Sequence, residues 1–258
     1  MPVRLCVIGN SHIAALKLGW PAAGIAGIAP TFFGAPADGL RHVVLENGVL
    51  VPRKSDIAGH FRTISGGSDR IVLAGHDAFL LVGLNVSSKR ILRFYKTHAW
   101  VGLNGTAGKT VVHPGFAMEF MTERYGATRM AELAATIAGA TDRPVLAVAE
   151  PHWASWARTA PAGTADYGWQ DAAASGDGPA IGGLFVQAVA AALAPCAQFV
   201  PQPEETVEDG IMTRADYNKD ASRLIGGEGG GTDASHMNAA YGAVLWPRVE
   251  AALRARLH

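Results

Sequence analysis

Gly9-Asn10-Ser11-His12 closes a short apolar run near the N-terminus, and Asp233-Ala234-Ser235-His236 precedes an amphipathic segment near the C-terminus. A serine hydroxyl becomes a useful nucleophile near neutral pH only when a neighbouring base takes its proton as it attacks. Imidazole suits that task. A carboxylate must hold the imidazole in the right tautomer and offset its developing charge. Ser11 as nucleophile, His236 as base and Asp233 as the orienting carboxylate meet these needs. The three-residue spacing of Asp233 and His236 lets one turn, or the mouth of a helix, present both side chains to the same spot. Attack on a carbonyl also creates an oxyanion, and loss of one donor to it costs about 2.7–4 kcal/mol. Ser11 at a strand-to-helix turn has its own N–H at a helix start, where amides are unpaired. Bland readings compete: Ser11 as a helix cap, Asp233 and His236 as a local surface hydrogen bond, and Asn85 as a turn residue after a strand.

The elements that must position these groups follow from the pattern. Residues 3–8 fit a strand buried on both faces. Residues 13–18 form a short helical pattern ending near Gly19 and Pro21, and 31–33 a second strand. Asn47-Gly48 between two β-rich runs signals a hairpin, so 41–74 is expected to be a β-rich insertion without a helix. Residues 78–82 read as a core strand, stopped by Gly83 with Asn85 just beyond. Residues 116–138 are mostly helical, with Gly126 as a break, and 144–149 is the clearest central strand. Residues 159–180 read as a long surface loop or lid, 184–193 as a helix and 198–200 as a last short strand. Residues 202–235 are polar and Gly-rich, and 237–257 is an amphipathic helix that Pro247 should kink or restart. Strands alternating with helices predict a parallel sheet covered on both faces, with ligands bound outside the carboxyl ends of the strands.

Composition narrows the class. The chain has 258 residues, 49% hydrophobic and 17% charged, with 22 basic and 22 acidic side chains. That suits a single globular domain over 1–258 with a large core. Zero formal net charge argues against a general nucleic-acid or anionic-membrane binder, while leaving room for a local basic patch. No run of about 20 apolar residues is present, so no transmembrane helix is expected. The N-terminus reads as a first strand rather than a signal peptide, which gives a cytoplasmic expectation. Cys6 and Cys196 read as buried thiols. The expectation is therefore no metal, no cofactor, no nucleic acid and no membrane.

The ordered set resembles the SGNH (GDSL-like) hydrolase superfamily. Gly9-Asn10-Ser11-His12 matches its serine block, Gly83-Leu84-Asn85 its G-x-N block, and Asp233-Ala234-Ser235-His236 its D-x-x-H block. The resemblance spans almost the whole chain in the right order. It implies a three-layer α/β/α sandwich with a five-stranded parallel sheet, flavodoxin-like in type. It also implies metal-free hydrolysis of ester or thioester bonds, and an oxyanion hole from the Ser11 N–H, a glycine N–H and the Asn85 side-chain amide. Asn10 stands where the family usually has Asp, and Val86 where Asp often follows the Asn. Gly66 in Ile64-Ser65-Gly66 is the chosen glycine, with Gly34 and Gly67 as alternatives.

Other signals are weaker. Residues 103–110 nearly match a phosphate-binding loop but lack its first glycine, and the Gly226–Gly231 run follows no core strand. The nine His residues show no metal-ligand spacing. His12, beside Ser11, and His152 and Trp153, at the end of the strong central strand, are pocket candidates; Trp153 and Trp156 could cover an acyl group or stack on a sugar. The reading is a serine esterase acting on a small-molecule or carbohydrate ester, with a small acyl group such as acetyl. The alternatives are an acyltransferase or thioesterase using the same triad, and a non-catalytic α/β binding protein on the same scaffold.

Overall fold

A computed structural model describes residues 1–159, 168–221 and 233–257. The first half contains β1 (Val3–Gly9), α1 (Ile13–Ala23), β2 (Ile28–Gly34), β3 (Val43–Glu46), β4 (Val49–Pro52), α2 (Ser55–Ser65), β5 (Ile71–Val72), β6 (Ala78–Val82), α3 (Lys89–Tyr95), β7 (His98–Trp100) and β8 (Thr110–Val112). There follow α4 (Pro114–Gly126), α5 (Arg129–Ala140), β9 (Val145–Val148), α6 (Trp169–Ser175), α7 (Gly178–Leu193), β10 (Gln198–Phe199), β11 (Val207–Glu208), β12 (Met212–Thr213) and α8 (Ala239–Leu257). The main sheet has the order β10-β9-β6-β1-β2, and all its pairs are parallel.

The central strands are apolar throughout because both faces are covered. Along β1, Leu5 and Val7 join one core with α1 and α8, and Cys6 and Ile8 join the other with α3, α4, α5 and α7. That alternation is the period-two geometry of a strand. Helices on both faces of a parallel sheet make an α/β fold of three layers. The α1–α8 contact is close: a Cβ on Gly242 would collide with the Ala15 carbonyl. Trp246 locks the same contact by donating its indole N–H to the Leu16 carbonyl (2.8 Å) and meeting Trp20 edge-on.

Several expectations need correction. The insertion holds the hairpin β3–β4, with Asn47 and Gly48 at φ 49° and 77°, both left-handed as a type I′ turn requires. It also holds a helix, α2, against the expectation that 41–74 lacks one. Ile57, Phe61 and Ile64 recur at helical spacing there and are all buried, a stripe that the neighbouring hairpin signal masked. Helix α1 runs past Pro21 to Ala23, where Gly24 in the left-handed region ends it. Pro247 lies inside α8, which continues without a break to Leu257. Residues 168–180 are not a loop: Trp169 is fully buried at the start of α6, and α7 begins at Gly178. Residues 160–167 and the 226–231 glycine run lie outside the described residues. Among the described residues, no helix is long and apolar enough to cross a membrane.

Candidate active site

The chain passes from β1 to β2 on one side and returns to β6 on the other, so the strand order reverses at the end of β1. In open parallel sheets a crevice opens at such a point. Ser11 follows β1 there, and the Gly83-Leu84-Asn85 loop follows the adjacent β6.

The Ser11 turn is shaped by Asn10. Its side-chain oxygen accepts the His12 N–H (3.3 Å), and its carbonyl accepts the Ile13 N–H that opens α1 (3.2 Å). Its Nδ2 reaches Glu150 Oε1 at the end of β9 (3.4 Å). Gly83 presses against the Asn10 amide at φ 78°, and a Cβ there would collide with Asn10 Oδ1. Asn10 thus ties together the ends of three strands. Ser11 is not a helix cap; its hydroxyl faces His236 Nε2 at 2.7 Å.

His236 and Asp233 sit in a turn just before α8. His236 Nδ1 lies 2.8 Å from Asp233 Oδ2. The other carboxylate oxygen accepts the Ser235 N–H (3.1 Å), the Ser235 hydroxyl (2.9 Å) and the His236 N–H (3.3 Å). An ionised carboxylate accepts and does not donate. In the neutral imidazole the proton between Asp233 and His236 therefore resides on Nδ1, which leaves the Nε2 lone pair for the Ser11 hydroxyl. The side chains of His236 and Asp233 are only 14% and 6% exposed, so water competes little for these bonds.

Asn218 clamps this turn. Its Nδ2 donates to the carbonyls of Asp233 (2.8 Å) and His236 (2.7 Å), and its Oδ1 accepts the Trp156 indole N–H (2.7 Å). The Ala154 N–H adds a bond to the Ala234 carbonyl (2.9 Å). Sequence reasoning missed Asn218, because it lies in a polar stretch with no pattern and its partners are two backbone carbonyls and an indole 62 residues away.

His12 is not a pocket residue. It is buried and stacks behind the His236 ring, with centroids 4.9 Å apart and an interplanar angle of 18°. Its Nε2 lies 3.8 Å from Glu150, and its Nδ1 has no partner among the described residues. Burial pushes its pKa down to about 4, against the pull of Glu150, so the ring is neutral at neutral pH. His152 is also not a pocket residue. It is buried edge-on against Phe185 (5.3 Å), and burial lowers its pKa to about 4. Trp153 is half-buried, with one face on Trp169 (4.5 Å) and the Lys89 ammonium 4.9 Å from its ring. The Trp156 indole is committed to Asn218.

Asn85 sits in the loop after β6, where Leu84 and Asn85 both have positive φ (47° and 68°). Leu in this region costs about 1–2 kcal/mol. Asn85 Nδ2 donates one hydrogen to Asp38 Oδ1 (3.0 Å) in the loop after β2, and Arg90 Nε holds its carbonyl (3.0 Å). Since β2 and β6 flank β1, the Asn85–Asp38 bond spans the end of the serine strand. The second Nδ2 hydrogen remains for another acceptor.

Gly66 does not join this group. Its N–H caps α2 by donating to the Arg62 carbonyl, and Gly67 N–H goes to the same oxygen (2.9 Å). An amide spent on a helix cap cannot serve an oxyanion. Gly34 ends β2 in register with Gly9, but it is the Ala35 N–H that turns toward β1, onto the Gly9 carbonyl (3.3 Å). Adjacent amides of a strand point to opposite sides, so Gly34 faces the open edge. The next N–H groups, on Ala37 and Asp38, meet no acceptor among the described residues. The family glycine pattern gave no signal for them.

The arrangement contains a hydroxyl, a base, an oriented carboxylate and nearby amide donors. Comparison of the chain with models of known protein families, with curated proteins and with solved structures finds no match.

Proposed function

We propose that this chain is a serine esterase of the SGNH hydrolase type on a flavodoxin-like scaffold. The observation that carries the reading is the unbroken Ser11–His236–Asp233 relay, with contacts of 2.7 and 2.8 Å between residues 225 and 3 positions apart. The strand order β10-β9-β6-β1-β2, with the nucleophile at the point where it reverses, supports the scaffold.

In the proposed cycle Ser11 Oγ attacks the ester carbonyl as His236 Nε2 takes its proton. Asp233 offsets the imidazolium charge. The tetrahedral oxyanion accepts the Ser11 N–H, the free hydrogen of Asn85 Nδ2 and an N–H of the 37–38 loop. His236 then returns the proton to the leaving alcohol. The acyl-serine is hydrolysed by a water that His236 deprotonates, and the site is restored. A small acyl group such as acetyl is the substrate we favour, in a cytoplasmic setting.

Stoichiometric labelling of Ser11 by an organophosphonate, and release of acetate from an aryl acetate, test the reading. A folded protein that takes up no label and turns over no ester would be a binding protein on the same scaffold. Product analysis with alcohol acceptors present would separate hydrolysis from acyl transfer, and a thioester series would separate a thioesterase.

A further inference from the structure

A cleft of ≈ 570 Å³ opens beside the machinery, between the loop after β6, α3 and α4. Asn85 and Glu150 belong to its wall, so it begins where the reacting carbonyl would lie. Lys89, Arg90, Arg93 and Arg124 also line it. Among the described residues lining the cleft, four cations thus face one carboxylate, in a chain whose formal net charge is zero. Glu150 is itself turned toward Asn10 and His12. Arg93 and Arg124 lie in the last turns of α3 and α4, where positive charge suits the helix dipole, but the other two cations do not serve their helix. Lys89 and Arg90 occupy the first turn of α3, where positive charge opposes the helix dipole, and no acidic residue is there. Ile91, Leu92, Phe94 and Tyr95 supply the buried face of α3, which leaves 89, 90 and 93 on the cleft side.

The far wall is aromatic. His98 lies flat on Phe94 (4.7 Å, 7°), and Phe120 stacks on the same ring (5.2 Å, 30°) while 36% exposed. A cationic rim over an aromatic wall fits a ring that carries an anionic group. A low-dielectric wall also strengthens the attraction of the cations for that group.

We propose that this cleft is a subsite for an anionic, ring-bearing substrate portion: the ester cleaved at Ser11 carries a carboxylate, sulfate or phosphate on its leaving alcohol. The proposal rests on the esterase reading, and it makes Arg124, Arg93 and Lys89 determinants of specificity. The test compares kcat/KM for 4-acetoxybenzoate, 4-acetoxybenzenesulfonate and 4-acetoxyphenyl phosphate with that for the neutral 4-acetoxybenzamide. The best anionic ester should be preferred by about tenfold or more at low salt, and the preference should shrink as salt rises. Arg124→Gln should cut the anion-to-neutral ratio severalfold, and Arg124→Glu should cut it further.

A second readout needs no turnover. Ser11→Ala protein should bind benzoate, benzenesulfonate or phenyl phosphate more tightly than phenol by calorimetry, and Arg124→Glu should weaken that binding. The order among the three anions assigns the group. Ester turnover with no charge preference, and no anion binding, overturns the subsite and leaves the esterase reading intact. Anion binding that Arg124→Glu weakens, in a protein that cleaves no ester, supports the subsite and overturns the esterase reading.

Discussion

The two loops that flank Ser11 are built on opposite principles. The Asp233–His236 turn is saturated: Asp233 accepts from Ser235 and His236, Asn218 holds two of its carbonyls, and His12 backs the imidazole. The Leu84–Asn85 loop buries Leu84 but exposes Asn85, carries two left-handed residues and leaves a donor hydrogen for an outside acceptor. In the proposed cycle proton transfer needs one fixed geometry, which groups locked before a substrate arrives would provide. The proposed oxyanion stabilisation needs donors aimed at an atom that is absent until the transition state, a role that the second Asn85 Nδ2 hydrogen would fill. The difference shows which loop stores backbone strain and which loop spends hydrogen bonds.

The largest effect should come from breaking the shared centre. Ser11→Ala should lower kcat on an aryl acetate by about 10⁴-fold or more, with an unchanged melting temperature. Surviving turnover would place the chemistry elsewhere. Next comes the strained loop: Asn85→Ala should reduce kcat about 10²–10³-fold with little change in KM. A change mainly in KM would make Asn85 a ground-state binder and erase the contrast between the loops.

The saturated side should show itself through acid. His12 and His152 titrate near 4 in the fold and near 6.5 when unfolded. Between those values the unfolded chain binds more protons, so stability rises with pH across this window. It is fully present above pH 6.5 and is lost as pH falls toward 4, by roughly 3 kcal/mol for each ring. Urea melts at pH 7 and pH 4.5 should reveal that loss, and His12→Asn should remove about half of it. A flat profile would mean that the two rings titrate alike in the folded and unfolded chain. His12→Asn should also lower kcat, because the replacement does not stack on His236.

The smallest effect should be at the clamp. Asn218→Ala leaves the Asp233 and His236 carbonyls and the Trp156 indole without that partner, at a cost of about 1–3 kcal/mol. A freed turn should lower kcat more than it raises KM. Loss of stability with kcat intact would show that the turn holds its geometry without Asn218.

The candidate residues Ser11, Asp233 and His236, the strand-to-helix turn and the parallel sheet were legible because each has a local signature. Ser11 stands at the end of an apolar run, Asp233 and His236 share a turn, and Asn47-Gly48 marks a hairpin. Helix α2 was missed because its stripe of Ile57, Phe61 and Ile64 is short and lies beside that hairpin signal. Gly66 was misplaced because a glycine after a helix is also the standard cap, and spacing does not reveal which acceptor takes its N–H. The roles of His12 and His152 inverted because neighbours in sequence point to different sides. One stacks under the His236 ring, and the other faces Phe185 in the core.

Residue type and order alone determined which groups could react and that a parallel sheet would carry them, because reactivity and hydrophobic periodicity are local properties of the chain. Only the tertiary structure decided that His236 reaches Ser11, that Asn218 holds its turn and that four cations gather beside Asn85. Those depend on contacts between segments up to 225 residues apart, set by packing rather than by spacing.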